Sequence, residues 1–367
     1  MSRRGNRNRV LIAGGGTGGH LFPAIAVAER IKEMNKETEI LFVGTRSKIE
    51  GKVVPGLGYN FKSIWIKGFS RKFNWENILF PLKLFVSVVQ SLIINLKFLP
   101  DVAIGSGGYV SGPAIFGSSI IGAKIILLEQ NSYPGITTKL LERFANEVHI
   151  SFNNSRDYLR RKDIIHFTGN PVRKNLGTEK RSTALEKFEL NSEYKTLLVL
   201  GGSLGAASIN KVIKENVDEL LKNDVQIIWQ TGKNYFDEYR NLASSKVKVF
   251  EFIDDMNAAY SACDLLLARA GATTIAEILV LGIPSVLVPS PNVAEDHQYY
   301  NAKSLADKNA AVLIKDDELM AILFERVITI INSDEKLNEL KQNAVKLAKP
   351  DSAERVAKNV LRYIKMK

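Results

Sequence analysis

A short apolar run that breaks into glycines and then into a helical pattern occurs twice in this chain. That repeat limits the fold more than any other feature. Arg9-Val-Leu-Ile-Ala13 runs into Gly14-Gly-Gly-Thr-Gly-Gly19, and Ala24 to Ile31 follows with apolar residues at helical spacing. Thr196-Leu-Leu-Val-Leu200 runs into Gly201-Gly-Ser-Leu-Gly-Ala206, and Ile209, Val212, Ile213 and Val217 continue on one helix face. Gly14 and Gly201 lie 187 positions apart. Strand, glycine loop and helix repeated at that distance predict two doubly wound α/β domains in tandem. The 367 residues are enough for two cores, at roughly 150 residues per domain.

The first half offers further strands at Glu39–Val43, Val102–Ile104, Lys124–Leu128 and Val148–Ile150. The second offers them at Gln226–Trp229, Val247–Phe250, Leu265–Leu267, Ser285–Val288 and Ala311–Ile314. Runs without alternation suit parallel strands covered on both faces. Domain one is expected over residues 1–169, a polar linker over 170–182 around Asn170-Pro171, and domain two over 183–350. Residues 351–367 predict a helix capped by Asp351 or Ser352, with Val356, Val360, Leu361 and Ile364 on one face.

Charge is distributed unevenly. The chain carries +11 in total, and residues 1–170 hold 23 Lys and Arg against 12 Asp and Glu, whereas residues 171–367 hold 27 of each. A one-sided basic excess points to a polyanionic partner: nucleic acid, an anionic membrane surface or a phosphorylated substrate. The single cysteine, Cys263, excludes a disulfide framework and a Cys-rich zinc site. The basic start breaks into glycines too soon for a secretory signal. Leu84 to Leu96, thirteen residues between Lys83 and Lys97, covers about 20 Å of a hydrocarbon core about 30 Å thick, so no segment is expected to span a membrane.

A glycine turn between strand and helix frees backbone N–H groups and sets an anion on the positive end of the helix dipole. Gly14, Gly16 and Gly19 fit the dinucleotide spacing, but the next strand ends Val43-Gly44-Thr45-Arg46 without the carboxylate that would hold a ribose, although Arg46 could meet a 2′-phosphate. Neither loop carries the Lys-Ser/Thr of a phosphate-binding P-loop. A third cluster, Gly105-Ser-Gly-Gly-Tyr-Val-Ser-Gly-Pro113, follows another strand. Three such loops at carboxyl ends of strands predict two anionic ligands.

The motifs fall in a recognisable order. They are Gly15-Gly-Thr-Gly-Gly-His20, Gly107-Gly-Tyr-Val-Ser-Gly-Pro113, Glu129-Gln-Asn131, Gly169-Asn-Pro-Val-Arg173, Gly201-Gly-Ser203, Glu251-Phe-Ile-Asp-Asp-Met256, Arg269-Ala-Gly271, Glu277 and Gln298. The whole chain resembles the peptidoglycan N-acetylglucosaminyltransferase family, which converts lipid I to lipid II. That resemblance implies a GT-B fold: two Rossmann-like domains with parallel sheets and an inter-domain cleft, the last helix packing back onto the first domain. It implies inverting transfer of GlcNAc from UDP-GlcNAc to the C4 hydroxyl of MurNAc on undecaprenyl-pyrophosphoryl-MurNAc-pentapeptide, at the cytoplasmic face of the bacterial cell membrane. Cell-wall synthesis and division proteins become candidate partners.

Such a transfer needs a base for the attacking hydroxyl and a positive environment for the departing diphosphate. His20 is the leading base, since it ends a glycine loop and histidine titrates near working pH. Glu129, at the end of a strand on the same rim, is the other. His149 and His166 lie in or beside apolar runs and read as packed residues. The donor set implied is Thr17, Gly18, Gly19, Asn131, Arg173, Ser203, Ile253, Ala272, Thr273, Thr274, Glu277 and Gln298. Of these, Glu277 also fits a capping box with Thr274. Asp254-Asp255 suits a helix N-cap better than a metal pair, and neither metal nor cofactor is expected.

Gly18, Gly19, Gly107, Gly108 and Tyr109 are the acceptor set, placed for the lipid pyrophosphate. The stretch from Trp65 through Phe69, Arg71, Lys72, Phe73 and Trp75 mixes aromatics with cations as an interfacial membrane contact does. The same mixture could stack single-stranded RNA, but no nucleic-acid module accompanies it. A core hairpin with a solvated rim is the plainer alternative.

Overall fold

The computed structural model describes residues 8–68, 79–293 and 296–365. The chain divides into two compact units: unit 1 is Met1–Arg173 with Lys349–Lys367, and unit 2 is Lys174–Ala348. Unit 1 runs β1 (Arg9–Ala13), α1 (Gly18–Met34), β2 (Glu39–Gly44), α2 (Ile49–Gly56), β3 (Asn60–Ser63), α3 (Phe80–Phe98), β4 (Val102–Gly105), α4 (Ser111–Ile120), β5 (Lys124–Glu129), α5 (Ile136–Leu141), β6 (Glu147–Ile150) and β7 (Ile165–Phe167). Its sheet is parallel, in the order β3-β2-β1-β4-β5-β6-β7.

Unit 2 runs α6 (Arg181–Lys187), β8 (Lys195–Leu200), α7 (Ala207–Lys222), β9 (Val225–Gln230), α8 (Phe236–Tyr239), β10 (Val247–Phe250), α9 (Met256–Ala262), β11 (Leu265–Arg269), α10 (Ala272–Leu281), β12 (Ser285–Val288), α11 (His297–Ala306), β13 (Val312–Leu313), α12 (Leu319–Ile331) and α13 (Asp334–Leu347). The last helix, α14 (Ser352–Lys365), returns to unit 1. The second sheet is also parallel, in the order β10-β9-β8-β11-β12-β13. β13 is shorter than the apolar run Ala311–Ile314, because only Val312 and Leu313 pair with β12 at the sheet edge.

The strands read as continuous apolar runs because both faces of each sheet are covered. In β1, Val10 and Ile12 join a core with Ala24, Val27 and Ile31 of α1, while Leu11 and Ala13 join another with Ala114 and Ile115 of α4. Successive strand residues point to opposite faces, so here both sets must be apolar. Val356, Ala357, Val360, Leu361 and Ile364 of α14 complete the first of these cores.

Polar contacts fix α14 in place. Ser352 Oγ donates to the Gly169 carbonyl (2.8 Å), and the buried Glu147 accepts from Asn359 Nδ2 (2.7 Å) and Arg362 Nη2 (2.6 Å). His149 Nε2 lies 2.9 Å from the same carboxylate, and its ring stacks on His166 with centroids 5.2 Å apart. Burial alone would raise the Glu147 carboxyl; hydrogen bonds from His149 and Tyr363 and the nearby His166 outweigh it and hold it down at about 2. Burial likewise lowers His149. His149 is a packed residue, but His166 is exposed, because β7 is the edge strand and leaves one side to solvent.

Helix α3 is inverted relative to an ordinary surface helix. Its buried residues are Lys83, Ser87, Ser91 and Asn95, one per turn, while Leu82, Leu84, Phe85, Val89, Ile93 and Leu96 are exposed. The polar stripe packs on α4, where Asn95 Nδ2 donates to the Ala114 carbonyl (3.2 Å) and Ser118 Oγ donates to Asn95 Oδ1 (2.7 Å). Gly117 permits the approach, since a Cβ there would sit 3.0 Å from Asn95 Nδ2. The helix is longer than its thirteen-residue apolar run. Its 19 residues span about 28 Å, so by length and composition alone it could cross a membrane.

Candidate active site

Each sheet reverses its strand order once, between β1 and β4 in unit 1 and between β8 and β11 in unit 2. Ligands of open α/β sheets bind outside the carboxyl ends of strands at such a point. In unit 1 the loops that emerge there are Gly14–Thr17, running into α1, and Ser106–Val110, running into α4. They are tied together. The Ser106 N–H donates to the Ala13 carbonyl (2.8 Å), Ser111 Oγ to the same carbonyl (2.6 Å), and Ser106 Oγ to the His20 carbonyl (2.7 Å).

His20 stands at the start of α1, half-buried, with its ring against the second loop. Gly107 has φ +91°, and a Cβ there would lie 2.5 Å from His20 Nδ1; a Cβ on Gly108 would lie 2.5 Å from the Gly15 carbonyl oxygen. Only glycine allows the two loops to close this tightly around the imidazole. His20 Nδ1 lies 3.1 Å from Gln130 Oε1. Thr17 is the N-cap of α1 with extended backbone and no side-chain cap, and Gly16, Thr17 and Gly19 are exposed. The opening turn of α1 is thus presented to solvent, where a helix dipole favours an anion. Tyr109 is exposed beside it.

Glu129 is placed differently from His20. It is buried, and its Oε1 accepts from the Asn131 N–H (3.0 Å) and Asn131 Nδ2 (3.4 Å), while Oε2 accepts from the Gly135 N–H (3.0 Å). Both oxygens therefore brace the loop from Asn131 to Gly135, and Asn131 is one of the groups they hold. A second buried carboxylate, Glu50 of α2, accepts from the Gly16 N–H (2.9 Å), the Thr45 N–H (3.0 Å) and Thr45 Oγ1 (2.6 Å). It fixes the shape of the first glycine loop. Arg173 lies with its guanidinium 4.7 Å from the Phe22 ring centroid, and burial raises the carboxyl of Glu29, against which Arg173 pulls.

In unit 2 the equivalent loop leaves β8 at Gly201, and Gly202, Ser203 and Leu204 are exposed. Gln230 joins two parts of this site: its Nε2 donates to the Gly202 carbonyl (3.2 Å), and its Oε1 accepts from the Ile253 N–H (2.9 Å). Of the Ile253 backbone, the N–H is thus engaged with Gln230. Helix α10 starts at Ala272 with Gly271 as N-cap and no side-chain cap. Thr274 and Glu277 therefore do not form a capping box, because the helix begins two residues before Thr274. Glu277 Oε2 instead accepts from the buried Tyr260 hydroxyl at 2.7 Å. Thr273 and Thr274 are half-buried on the same first turn. Gln298 Oε1 accepts from the Ser290 N–H (2.9 Å). Asp255 is the N-cap of α9 and accepts from the Ala258 N–H (3.0 Å), which accounts for Asp255. Arg269 is held by Asp316, Ser208 and the carbonyls of Val288 and Pro289.

Thr17, Gly18, Gly19, Asn131 and Arg173 belong to unit 1, and Ser203, Ile253, Ala272, Thr273, Thr274, Glu277 and Gln298 to unit 2. Phe69, Arg71, Lys72, Phe73 and Trp75 lie outside the described residues. Trp65 is half-exposed, with Lys83 Nζ 5.7 Å from its ring centroid and its backbone N–H donating to Gln90 Oε1 (2.7 Å). Among the described residues no group of three or more His, Cys, Asp or Glu could hold a metal ion.

Sequence reasoning passed over Gln130, Ser106, Glu50, Tyr260 and Gln230, all of which orient site groups. Gln130 had a signal: it directly follows β5, at the carboxyl edge of the sheet where ligands of open α/β folds bind. Glu50 had none, since an acidic residue in the first turn of a helix is commonplace.

Two parallel α/β sheets of this order, with glycine turns at both switch points, are the architecture of GT-B glycosyltransferases. The chain belongs to glycosyltransferase family 28: the family's N-terminal domain matches residues 10–150 and its C-terminal domain residues 196–356. A relative from Flavobacterium psychrophilum is 41% identical over 97% of this chain and 98% of its own length; one from Bacteroides fragilis is 43% identical over 98% and 96%. Both are named UDP-N-acetylglucosamine--N-acetylmuramyl-(pentapeptide) pyrophosphoryl-undecaprenol N-acetylglucosamine transferase. Among solved structures, Acinetobacter baumannii MurG superposes with a TM-score of 0.72 at 26% identity, covering 97% of this chain and 99% of that one. A UDP-N-acetylglucosamine 2-epimerase superposes at 0.69 with 13% identity, covering 98% of this chain and 96% of that one, and shares the fold alone.

Proposed function

We propose that this enzyme transfers GlcNAc from UDP-GlcNAc to the C4 hydroxyl of MurNAc on undecaprenyl-pyrophosphoryl-MurNAc-pentapeptide, with inversion at the anomeric carbon. The likeness to the named transferases along nearly the whole chain supports it. The observation that carries the chemistry is the glycine-enclosed imidazole of His20, oriented by one neutral partner and placed on the rim of unit 1. His20 takes the proton from the C4 hydroxyl as the bond from that oxygen to C1 forms. The bond from C1 to the diphosphate oxygen breaks, and UDP departs with the electron pair. Glu129, with both oxygens engaged by backbone, shapes the loop that carries Asn131 and does not serve as the base.

The exposed first turn of α1, with Thr17, Gly18 and Gly19, and the loop at Gly107, Gly108 and Tyr109 receive anionic groups of the acceptor and donor. Arg173 adds a cation for the donor diphosphate. In unit 2, Ser203 contacts the diphosphate, Ile253 the uracil, Glu277 the ribose hydroxyls, and Ala272, Thr273, Thr274 and Gln298 the rest of the sugar nucleotide. The outward apolar face of α3 rests in the plane of an anionic membrane, on its cytoplasmic side, within reach of a lipid-linked acceptor. Crossing the bilayer would strip Asn95 of α3 of its partners Ala114 and Ser118 in α4, whereas lying in the interface keeps them.

Purified protein, UDP-GlcNAc and a short-chain lipid I analogue give the test. A β-linked GlcNAc product with stoichiometric UDP is expected. Release of UDP without transfer, or epimerisation of the donor at C2, would overturn the assignment. His20→Ala should lower kcat about 10²–10⁴-fold with donor affinity nearly unchanged. A far larger kcat loss in Glu129→Gln would exchange the two roles.

A further inference from the structure

His20 is held by a hydrogen-bond chain that can be satisfied in one way only. Gln130 is buried, and its Nε2 lies 3.2 Å from the Ser106 carbonyl oxygen and 3.1 Å from Ser106 Oγ. A carbonyl oxygen only accepts, so the amide atom facing Ser106 must be the NH2. Ser106 Oγ spends its proton on the His20 carbonyl (2.7 Å) and is left with lone pairs that accept from the same NH2. Gln130 therefore turns its oxygen to His20, and an amide oxygen has no proton to give. Across the 3.1 Å separation, His20 Nδ1 must carry the hydrogen.

We propose that Gln130 is a positioning residue that locks His20 in the Nδ1–H tautomer, leaving Nε2 bare as the atom that receives the acceptor's proton. The proposal rests on the reading of His20 as the base. It adds the nitrogen, and the reason an amide stands where many histidine bases have a carboxylate. A neutral oxygen fixes the tautomer and the ring direction without holding the imidazolium as an ion pair would. The two buried carboxylates of this rim are directed elsewhere, Glu129 to Asn131 and Gly135, and Glu50 to Gly16 and Thr45. Gly107 contributes the missing side chain that lets the ring reach Gln130, since any Cβ would occupy the space beside Nδ1.

The chain has only four histidines, so ¹⁵N-histidine labelling and long-range ¹H–¹⁵N spectra can report His20 directly, assigned by its loss in His20→Asn. The wild-type protein should show a protonated Nδ1 and a bare Nε2 at neutral pH. A protonated Nε2 would overturn the lock, and this measurement needs no variant in the lock itself. Gln130→Met, close in volume, should lower kcat about 10- to 100-fold with the KM for UDP-GlcNAc unchanged, and its His20 spectrum should show both tautomers. Gln130→Glu should move the acid limb of the kcat profile, with the short-chain lipid I analogue, upward by about 1–2 pH units. Normal turnover and an unchanged tautomer in Gln130→Met would remove the positioning role. If the wild-type tautomer is as stated but His20→Ala keeps full kcat, the reading of His20 as base fails while the lock stands.

Discussion

Replacing Glu147 by glutamine should loosen the C-terminal helix by an amount that can be worked out beforehand. The carboxylate accepts from Arg362, Asn359 and His149 within 2.6–2.9 Å and is buried, so the substitution keeps volume and removes charge. Its folded value of about 2 lies below the ordinary 4.5, and about two and a half units at 1.36 kcal/mol each give roughly 3 kcal/mol at neutral pH. Because the folded value is depressed, that stability is present above the unfolded value and is lost as pH falls from about 4.5 toward about 2; linkage leaves about 1.5 kcal/mol at pH 3. His149, lowered by burial, works in the same direction, since charging it in acid also opposes the packed state. Urea unfolding of both proteins through this pH range, with hydrogen exchange of residues 352–365 as the local reading, is the assay. A glutamine variant as stable as wild type at pH 7, or a difference that does not shrink in acid, would refute the reasoning.

Gly107→Ala should cut kcat at least tenfold, because the new Cβ displaces the His20 ring, and should also lower the melting temperature, because the backbone there sits at φ +91°; unchanged turnover would show that the ring has room. Tyr260→Phe removes a hydrogen bond to Glu277 and should weaken UDP-GlcNAc binding by about 1–3 kcal/mol in calorimetry. No change there would detach Glu277 from the donor site. Turnover should persist in excess EDTA, and activity lost on chelation and restored by Mg²⁺ would contradict this. Phe85→Ser, on the outer face of α3, should lower sedimentation with anionic vesicles, by roughly the 1.5–3 kcal/mol of an inserted phenylalanine, while turnover of the short-chain acceptor stays; equal sedimentation would return the helix to an ordinary surface.

Much of the architecture is written in the strands. Val10-Leu-Ile-Ala13 and Leu197-Leu-Val-Leu200 are apolar on both faces, and only a covered parallel sheet accepts that. The glycine turns announce themselves because nothing else fits so near another backbone. What each polar group does with its lone pairs is another matter. The residue pattern puts Glu129 behind His20 as a candidate base, but it does not show that the Glu129 oxygens are engaged by the loop from Asn131 to Gly135. Helix α3 could not be oriented from its own residues, because the side that turns inward is decided by Ala114, Gly117 and Ser118 of α4. The Thr274–Glu277 spacing misled for a similar reason: the helix start is set at Gly271.

The return of α14 to unit 1 has a consequence for how the protein is made. Residues 9–167 supply every strand of the first sheet, yet one of its cores stays open until Val356, Val360 and Ile364 arrive. On the ribosome, unit 2 is therefore complete in sequence before unit 1 can close, and the first half waits with an uncovered apolar face through the synthesis of the second. Chains truncated after residue 348 and released should hold a folded second unit beside a first unit open to chaperones and proteases. The helix that closes the first unit is made only after the whole of the second.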